Sequence, residues 1–177
     1  MKNLKYLLLF FILIFSSPTS YSQSNIATLD VVKLLKDSKA AISMKDQLNA
    51  VAKKYTEEDQ KKQKEIQKQE EELLRQKATL TPEAFSDRKN TFEKKVIEFN
   101  KNNQNKRKAL AKAEKDAVKQ IEAEVETIVK SIIDNENITA VFRSSAVVLS
   151  NDSIDITKKV VDELNKKLST VTVTVTP

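Results

Sequence analysis

The sequence predicts an α+β protein that is mostly α-helical, in which a long antiparallel helical hairpin of coiled-coil type projects from a small β body. Residues 41–133 contain no glycine, are rich in lysine, glutamate and glutamine, and hold a single proline, Pro82. Short β-branched segments precede and follow this stretch, as the strands of a small sheet would. The chain has 177 residues, of which 32% are charged and 40% hydrophobic, a balance that suits long solvated helices.

The residue types that the chain lacks restrict its chemistry. Glycine, cysteine, histidine and tryptophan are all absent. Without histidine the usual general base near neutral pH is missing, and without glycine a phosphate-binding loop cannot be built in the usual way. Carboxylate chemistry and magnesium binding stay open, but an enzyme is disfavoured. We therefore expect no catalytic residue, no cofactor and no metal site.

The N-terminus has the pattern of an export signal. Lys2 and Lys5 precede an unbroken apolar run, Tyr6–Phe15, which small and polar residues follow. This pattern predicts a signal peptide over residues 1–22 that is cleaved after export. An uncleaved anchor is the alternative, although the run is too short to span about 30 Å of hydrocarbon comfortably. Cleavage removes two lysines and no acids, so 31 − 2 = 29 basic residues face 25 acidic ones, and the formal charge falls from +6 to +4.

The helical hairpin is predicted to turn near residues 78–82. Proline is excluded from a helix interior but fits the first position, after a residue such as Thr81 that caps the free amides. Forty residues at about 1.5 Å each make an arm of roughly 60 Å. Apolar residues at coiled-coil spacing mark the facing sides of the two helices. They are Met44, Leu48, Val51, Tyr55, Ile66, Leu73 and Leu80 on the first helix, and Phe85, Phe92, Val96, Phe99, Leu110, Ala113, Ala117, Ile121, Val125, Ile128 and Ile132 on the second.

The facing sides become polar halfway along the arm. Asp59 and Lys62 lie on the first helix, and Asn103 lies at the same height on the second. Because such positions bury little apolar area, we expect the arm to bend or splay there. A helix surface that simply tolerates polar residues is the alternative.

The second arm helix carries a basic stretch with scattered aromatic residues. A charge run usually forms a solvated face, and that interpretation stays open. The functional alternative is a lining that contacts unfolded or anionic ligands, formed by Phe92, Lys94, Lys95, Phe99, Lys101, Lys106, Arg107 and Lys108. The arm lacks the arginine- and aromatic-rich pattern of single-strand nucleic-acid binders, so nucleic acid is disfavoured as a partner.

The body is predicted from residues 23–40 and 134–168. Ile26–Leu29 has the pattern of a short strand, and Asp30 can cap the helix that follows. Three strands and a short helix make too small a core to hold such an arm alone. A sheet or barrel shared between identical chains would solve this by pairing the strand edges. An oligomer follows from this argument, but the number of subunits does not.

The C-terminal region is predicted to contain a β-hairpin, a helix and a tail. Two β-rich runs, residues 138–143 and 146–149, have the spacing of a β-hairpin. Residues 156–168 form a last amphipathic helix. The tail, residues 169–177, alternates valine and threonine. We expect it either to pair as an edge strand or to stay mobile, because an exposed strand of this composition would be prone to aggregate.

Three segments carry a resemblance to a known family. Ile26–Asp30 opens the mature domain, Ala140–Leu149 follows the arm, and Asp155-Ile156-Thr157 precedes the last helix. Together with an export signal and a charged helical hairpin, these segments resemble the OmpH/Skp family of periplasmic chaperones. The Asp-Ile-Thr triplet is the most specific of them, whereas the arm matches in length and composition. The resemblance covers residues 26–168 and leaves out the tail.

The resemblance implies a jellyfish-like homotrimer in the periplasm, with a shared β-barrel and three helical arms around a cavity. It implies that the arms hold unfolded outer-membrane proteins without ATP, as an ATP-independent holdase chaperone does. Anionic lipid or lipopolysaccharide is a further ligand that a basic interior would attract. A structural coiled-coil spacer or adaptor of the cell envelope is the alternative function. A spacer should sustain its apolar seam, which this arm loses midway.

Overall fold

A computed structural model of the protein describes residues 25–176. The predicted signal peptide lies outside these residues. Among the described helices, none is both long enough and apolar enough to cross a membrane. The elements in chain order are strand β1 (Asn25–Leu29), helix α1 (Val31–Asp37), helix α2 (Lys39–Gln76), helix α3 (Pro82–Glu136), strand β2 (Ile138–Arg143) and helix α4 (Thr157–Lys167), with short 3-10 turns at Ser144–Ala146 and Asp152–Ile154.

Helices α2 and α3 form the predicted hairpin. They contain 38 and 55 residues, and therefore extend about 57 and 82 Å at 1.5 Å per residue. The Thr81 hydroxyl accepts a hydrogen bond from the Ala84 N–H, and Pro82 occupies the first turn of α3. The capped turn predicted from Thr81 and Pro82 is thus confirmed. Helix α3 ends at Glu136, and the capping residue Asn137 takes a left-handed conformation with φ of 52°.

The sheet of the described chain has two strands. Strand β1 pairs in parallel with β2, and the whole helical hairpin forms the connection between them. The next contact with β1 is made by Asp155, which forms an isolated parallel bridge with Thr28. The segment that precedes α4 therefore lies beside β1.

The predicted β-hairpin after β2 is wrong. Residues 144–146 form a 3-10 turn, and residues 147–149 form no strand, with Val148 and Leu149 at 104% and 90% exposure. A tight two-residue hairpin turn needs positive φ, which glycine or asparagine usually supplies. The chain has no glycine, and Asn137 is the one residue with positive φ in the described range. The chain therefore leaves β2 through the 3-10 turn and does not fold back along it.

The hydrophobic core lies where the hairpin meets the body. Leu34 of α1, Ile121 of α3, and Val160 and Leu164 of α4 are almost completely buried in one cluster. Alanines at positions 40, 41 and 117 belong to the same cluster, and their small side chains let the helices approach closely. The inner part of the hairpin therefore shares its core with the body. We call residues 39–52 and 113–136 the root of the arm and residues 53–112 the outer arm.

The tail forms no strand, but it packs against the rest of the protein. Residues 169–176 form no regular secondary structure, yet Val171 is only 5% exposed and belongs to the core cluster. The expectation of an edge strand or a mobile end is wrong, because helix side chains bind the backbone of the tail in place of a neighbouring strand.

Candidate functional site

The outer arm is two helices thick and has almost no interior. Within residues 25–176, no apolar side chain between Ala41 and Ala109 is buried, although several on the facing sides are half-buried. Burial of apolar area is the main force that joins two helices, at about 25 cal/mol per Å². The outer arm is therefore held together weakly along its length, and its apolar groups remain available to a ligand.

One polar cluster joins the two helices halfway along the arm. The Lys106 ammonium lies 2.8 Å from an Asp59 oxygen and 3.0 Å from a Glu58 oxygen, and its side chain is only 10% exposed. The same ammonium lies 4.9 Å from the centre of the Tyr55 ring, which adds a cation–π contact. The Asn103 amide, turned so that its nitrogen faces Asp59, donates to both carboxylate oxygens at 3.0 and 3.2 Å.

This cluster changes the interpretation of the polar middle of the arm. Burial lowers the pKa of Lys106, but the hydrogen bonds and negative charges of Asp59 and Glu58 outweigh it, so the pKa is raised above its usual value. The lysine is therefore charged and paired at neutral pH. The predicted weak point at Asp59 and Asn103 carries ionic and hydrogen-bonded contacts between the helices instead of the expected splay.

Two open clefts lie between the helices of the outer arm. The cleft near the tip has a volume of about 570 Å³, and the cleft near the middle has about 630 Å³. The first is lined by Lys68, Gln69, Glu72, Leu73, Gln76, Asp87, Arg88, Thr91, Phe92 and Lys95. The second is lined by Glu58, Asp59, Lys62, Lys95, Glu98, Phe99, Lys101, Asn102, Asn105 and Lys106. Each cleft holds one phenylalanine among charged and amide groups, a lining suited to adaptable contacts with many sequences.

The eight residues predicted to contact a ligand lie in four kinds of place. Phe92 and Phe99 are half-buried in the two clefts. Lys95 is exposed and reaches across the hairpin to the Gln69 side chain, 3.1 Å away. Lys106 lies inside the polar cluster, where the carboxylates hold its ammonium. The exposed cations that remain are Lys94, Lys101, Arg107 and Lys108.

Further apolar groups point away from the facing sides. Leu74 is 64% exposed and Ile97 is 66% exposed. These side chains lie on the same outer arm as the basic residues, so a ligand there would meet apolar and cationic groups together. In residues 25–176, no three acidic side chains gather as a metal site would require.

Sequence reasoning missed the partners of Lys106. Glu58 and Asp59 were visible as acids in the middle of the first helix, and Lys106 as a base at the same height on the second. Opposite charges at matching heights of a hairpin were the available signal. They indicated an ion pair between helices rather than a gap in the seam.

The fold and the arm together define a class of protein in which a long helical hairpin extends from a small β body. The family profile described as outer membrane protein (OmpH-like) matches residues 25–164. The chain therefore belongs to the OmpH-like family. A crystal structure described as a candidate OmpH-like outer membrane chaperone from Caulobacter crescentus superposes with a TM-score of 0.80 at 18% identity, covering 87% of this chain and 91% of the other. No curated protein matches the sequence.

Membership of this family bears on function at a coarse level. The family is described as outer membrane protein (OmpH-like), and the superposed structure as an OmpH-like outer membrane chaperone. The match ends at residue 164, so the tail lies outside the family profile.

Proposed function

We propose that the protein is an ATP-independent holdase that keeps outer-membrane proteins unfolded between its arms while they cross the periplasm. The observation that carries this proposal is the thin outer arm, whose half-buried phenylalanines line open clefts beside exposed cations. Holding a chain without folding it requires many weak contacts, which such a surface supplies. Charge attraction speeds the encounter with acidic clients and weakens as salt is added.

The proposed assembly is a homotrimer in which the chains share their β-structure. The two-stranded sheet leaves the second edge of β2 unpaired, while the second edge of β1 is bridged by Asp155 at Thr28, and open edges invite pairing with another chain. Three apolar side chains in β2 or shortly after it, those of Phe142, Val148 and Leu149, are exposed. A second and a third copy of the chain are the occupants that we propose for these edges. Three arms extending from one shared body would enclose a space for the client.

Shortening the arm tests the proposed function. Deletion of residues 53–73 and 92–112 removes three heptads from each helix, about 30 Å of arm. Joining Ala52 to Leu74 and Thr91 to Ala113 keeps the tip and the heptad phase, and leaves the root intact. The deletion removes the whole candidate lining. We expect the variant to fold and assemble as the full protein does but to lose suppression of outer-membrane-protein aggregation.

The readouts are light scattering of a urea-diluted outer-membrane protein, and the mass of the chaperone in solution. Full suppression by a correctly assembled short-armed variant would remove the arm from the mechanism. A matched control inserts one extra heptad into each helix, which lengthens the arm without deleting a residue. That control should retain suppression.

The exposed cations test a finer part of the proposal. Replacing Lys94, Lys101, Arg107 and Lys108 by glutamine should slow client capture at low salt and leave capture at high salt nearly unchanged. The same variant should bind vesicles containing anionic lipid, or lipopolysaccharide, more weakly if those are ligands. Equal capture rates at low salt would show that the basic stretch is a solvated face.

A structural spacer is the second candidate function. The polar cluster of Lys106, Asp59 and Glu58 favours it, because it holds the hairpin together midway, as a spacer needs. A spacer would bind one folded partner and would not suppress aggregation of unfolded proteins. The aggregation measurement therefore distinguishes the two functions.

A further inference from the structure

The tail lies across the root of the arm in a specific way. It follows α4, and its residues 171–173 contact side chains of both α2 and α3. The Gln47 side chain of α2 donates to the Val171 carbonyl at 2.8 Å and accepts from the Val173 N–H at 3.3 Å. The Gln120 side chain of α3 donates to the Thr172 carbonyl at 3.3 Å.

The Gln47 side-chain amide makes the two backbone hydrogen bonds that a neighbouring β-strand would make with the tail. It binds the carbonyl of one residue and the N–H of the residue two further on, and these two groups point to the same side of an extended chain. The Ser43 hydroxyl and carbonyl accept from the same amide nitrogen, at 3.1 and 3.3 Å. Ser43 thereby helps to hold the amide in the orientation that the tail requires. These contacts bind backbone and are indifferent to the side chains of the bound segment.

The side chains of the tail alternate between core and solvent. Val171 is buried with the core cluster and Val173 packs against it, whereas Thr172, Thr174 and Thr176 are exposed. Val175 is half-buried in the same alternation. The groove therefore selects an extended segment that is apolar on one face and polar on the other, and it contacts no charge of that segment.

We propose that the root groove is a binding site for extended peptide segments of alternating apolar and polar residues, with the tail as its resident occupant. The inference rests on the proposed function, because strands of membrane barrels alternate in this way and would be the clients. In this role the tail occupies the site until a client strand displaces it. The site would supply a second kind of contact at the root, besides the adaptable contacts of the outer arm.

Because the tail is covalently linked to its own site, its competition with a free peptide can be measured. A short flexible tether gives the tail an effective concentration of about a millimolar at its own site. A free peptide of the same sequence should therefore bind the full chain much more weakly than a chain that lacks the tail. We expect a difference of about 10- to 100-fold in the apparent dissociation constant.

The experiment uses a labelled peptide with the sequence of residues 169–177 and measures its fluorescence anisotropy on binding. The protein without the tail, ending at Leu168, should bind the peptide, and the full chain should bind about tenfold or more weakly. Gln47→Ala in the tail-less protein should weaken binding by about tenfold, since two backbone hydrogen bonds are lost. Gln60→Ala on the exposed face of α2 is the matched control and should change nothing. A peptide with threonine in place of its three valines should not bind.

A second variant protects the test against misfolding of the shortened chain. Val171→Thr with Val173→Thr keeps the full length but removes the apolar face of the tail, so the site should open to the peptide. Failure of the peptide to bind either of these variants, when circular dichroism shows both folded, would overturn the inference. Equal affinities for the full and the tail-less chain would do the same.

This outcome is separable from that of the proposed function. The short-armed variant retains Gln47, Gln120 and the tail, so its behaviour tests the outer arm alone. If the tail-less chain fails to bind the peptide while the short-armed chain loses suppression, the inference about the root groove falls and the holdase stands. If the short-armed chain suppresses aggregation fully, the holdase mechanism falls whatever the peptide does.

Discussion

The backbone N–H of Asp30 donates a hydrogen bond of 2.8 Å to the hydroxyl of Thr157, a residue 127 positions further along the chain. Beside it, the Ile156 N–H donates to the Thr28 carbonyl at 3.0 Å. The Asp155 carboxylate accepts from the Thr157 N–H at 2.7 Å and so shapes the turn into α4. The Asp-Ile-Thr triplet therefore joins α4 to the end of β1, which gives a structural role to one of the segments that carry the resemblance.

Thr157→Val should destabilise the protein by about 1–3 kcal/mol, because it leaves a partly buried N–H without an acceptor at nearly constant volume. Thr157→Ser restores the hydroxyl and should recover most of that loss. Urea unfolding followed by circular dichroism at fixed protein concentration measures the change. Thr91→Val on the exposed face of α3 is the control, with an expected effect within about 0.5 kcal/mol. An unchanged midpoint for Thr157→Val would mean that water replaces the hydroxyl.

The helical hairpin was predictable from local chemistry. Thr81 before Pro82 is a helix-start signal that two adjacent residues supply, and a glycine-free charged stretch of this length favours helices. The conformation of residues 144–149 was not predictable in the same way. Their β-branched side chains favour a strand, but a strand also needs a partner and a turn, and Ser144 and Ser145 supply no turn with positive φ.

The candidate site was predictable in composition and not in geometry. Phe92 and Phe99 lie in the clefts, as their heptad positions indicated. The role of Lys106 depended on Asp59 meeting it across the hairpin, which requires the register of the two helices. The role of Gln47 was not predictable from the sequence, because a glutamine on a charged helix belongs to no distinctive pattern. Its role depends on contact with the tail, which is more than 120 residues further along the chain.

Lys106→Met should loosen the middle of the arm. Loss of the ion pairs with two half-exposed carboxylates should lower local stability by about 1–2 kcal/mol, between the values for exposed and buried pairs. Amide hydrogen exchange of residues 55–62 and 100–108 should accelerate by about tenfold, while exchange in the root stays unchanged. Lys108→Met, two positions away on the exposed face, is the matched control. Equal protection in both variants would show that the pairing contributes nothing in solution.

The contribution of Lys106 should depend on pH in a defined direction. Its pKa is raised in the folded chain above 10.5, with burial opposing the shift and the hydrogen bonds and charges of Asp59 and Glu58 causing it. A raised pKa of a base stabilises the fold below the unfolded value, and that stabilisation is lost as pH rises through the folded value. The difference in unfolding free energy between wild type and Lys106→Met should stay constant from about pH 6 to 9 and shrink above 10.5. A difference that varied between pH 6 and 9 would contradict this assignment.

Asn137 should accept glycine without loss. Its left-handed conformation, with φ of 52°, favours glycine, so Asn137→Gly should leave stability unchanged or raise it by up to about 1 kcal/mol. Asn137→Val should destabilise by about 1–2 kcal/mol, because a β-branched side chain clashes in this conformation. At Asn135, within the last turn of α3, glycine should instead destabilise by about 0.5–1 kcal/mol. Melting temperatures of the four chains at equal concentration test this, and the same sign for glycine at both positions would argue against a left-handed Asn137.

The exposed apolar residues after β2 should control assembly. Val148 and Leu149 are at 104% and 90% exposure, and one lysine at each position would place two charges beside the proposed shared sheet. We expect Val148→Lys with Leu149→Lys to shift the mass in solution from trimer to monomer, because charges in an apolar interface remain unpaired and desolvated. Val32→Lys, at a residue of α1 that is 77% exposed, adds a charge elsewhere on the body and should leave the mass unchanged. Light scattering on a sizing column gives both masses. A trimer that survives both lysines would place the interface elsewhere on the body, and a wild-type monomer would remove the shared sheet from the proposal.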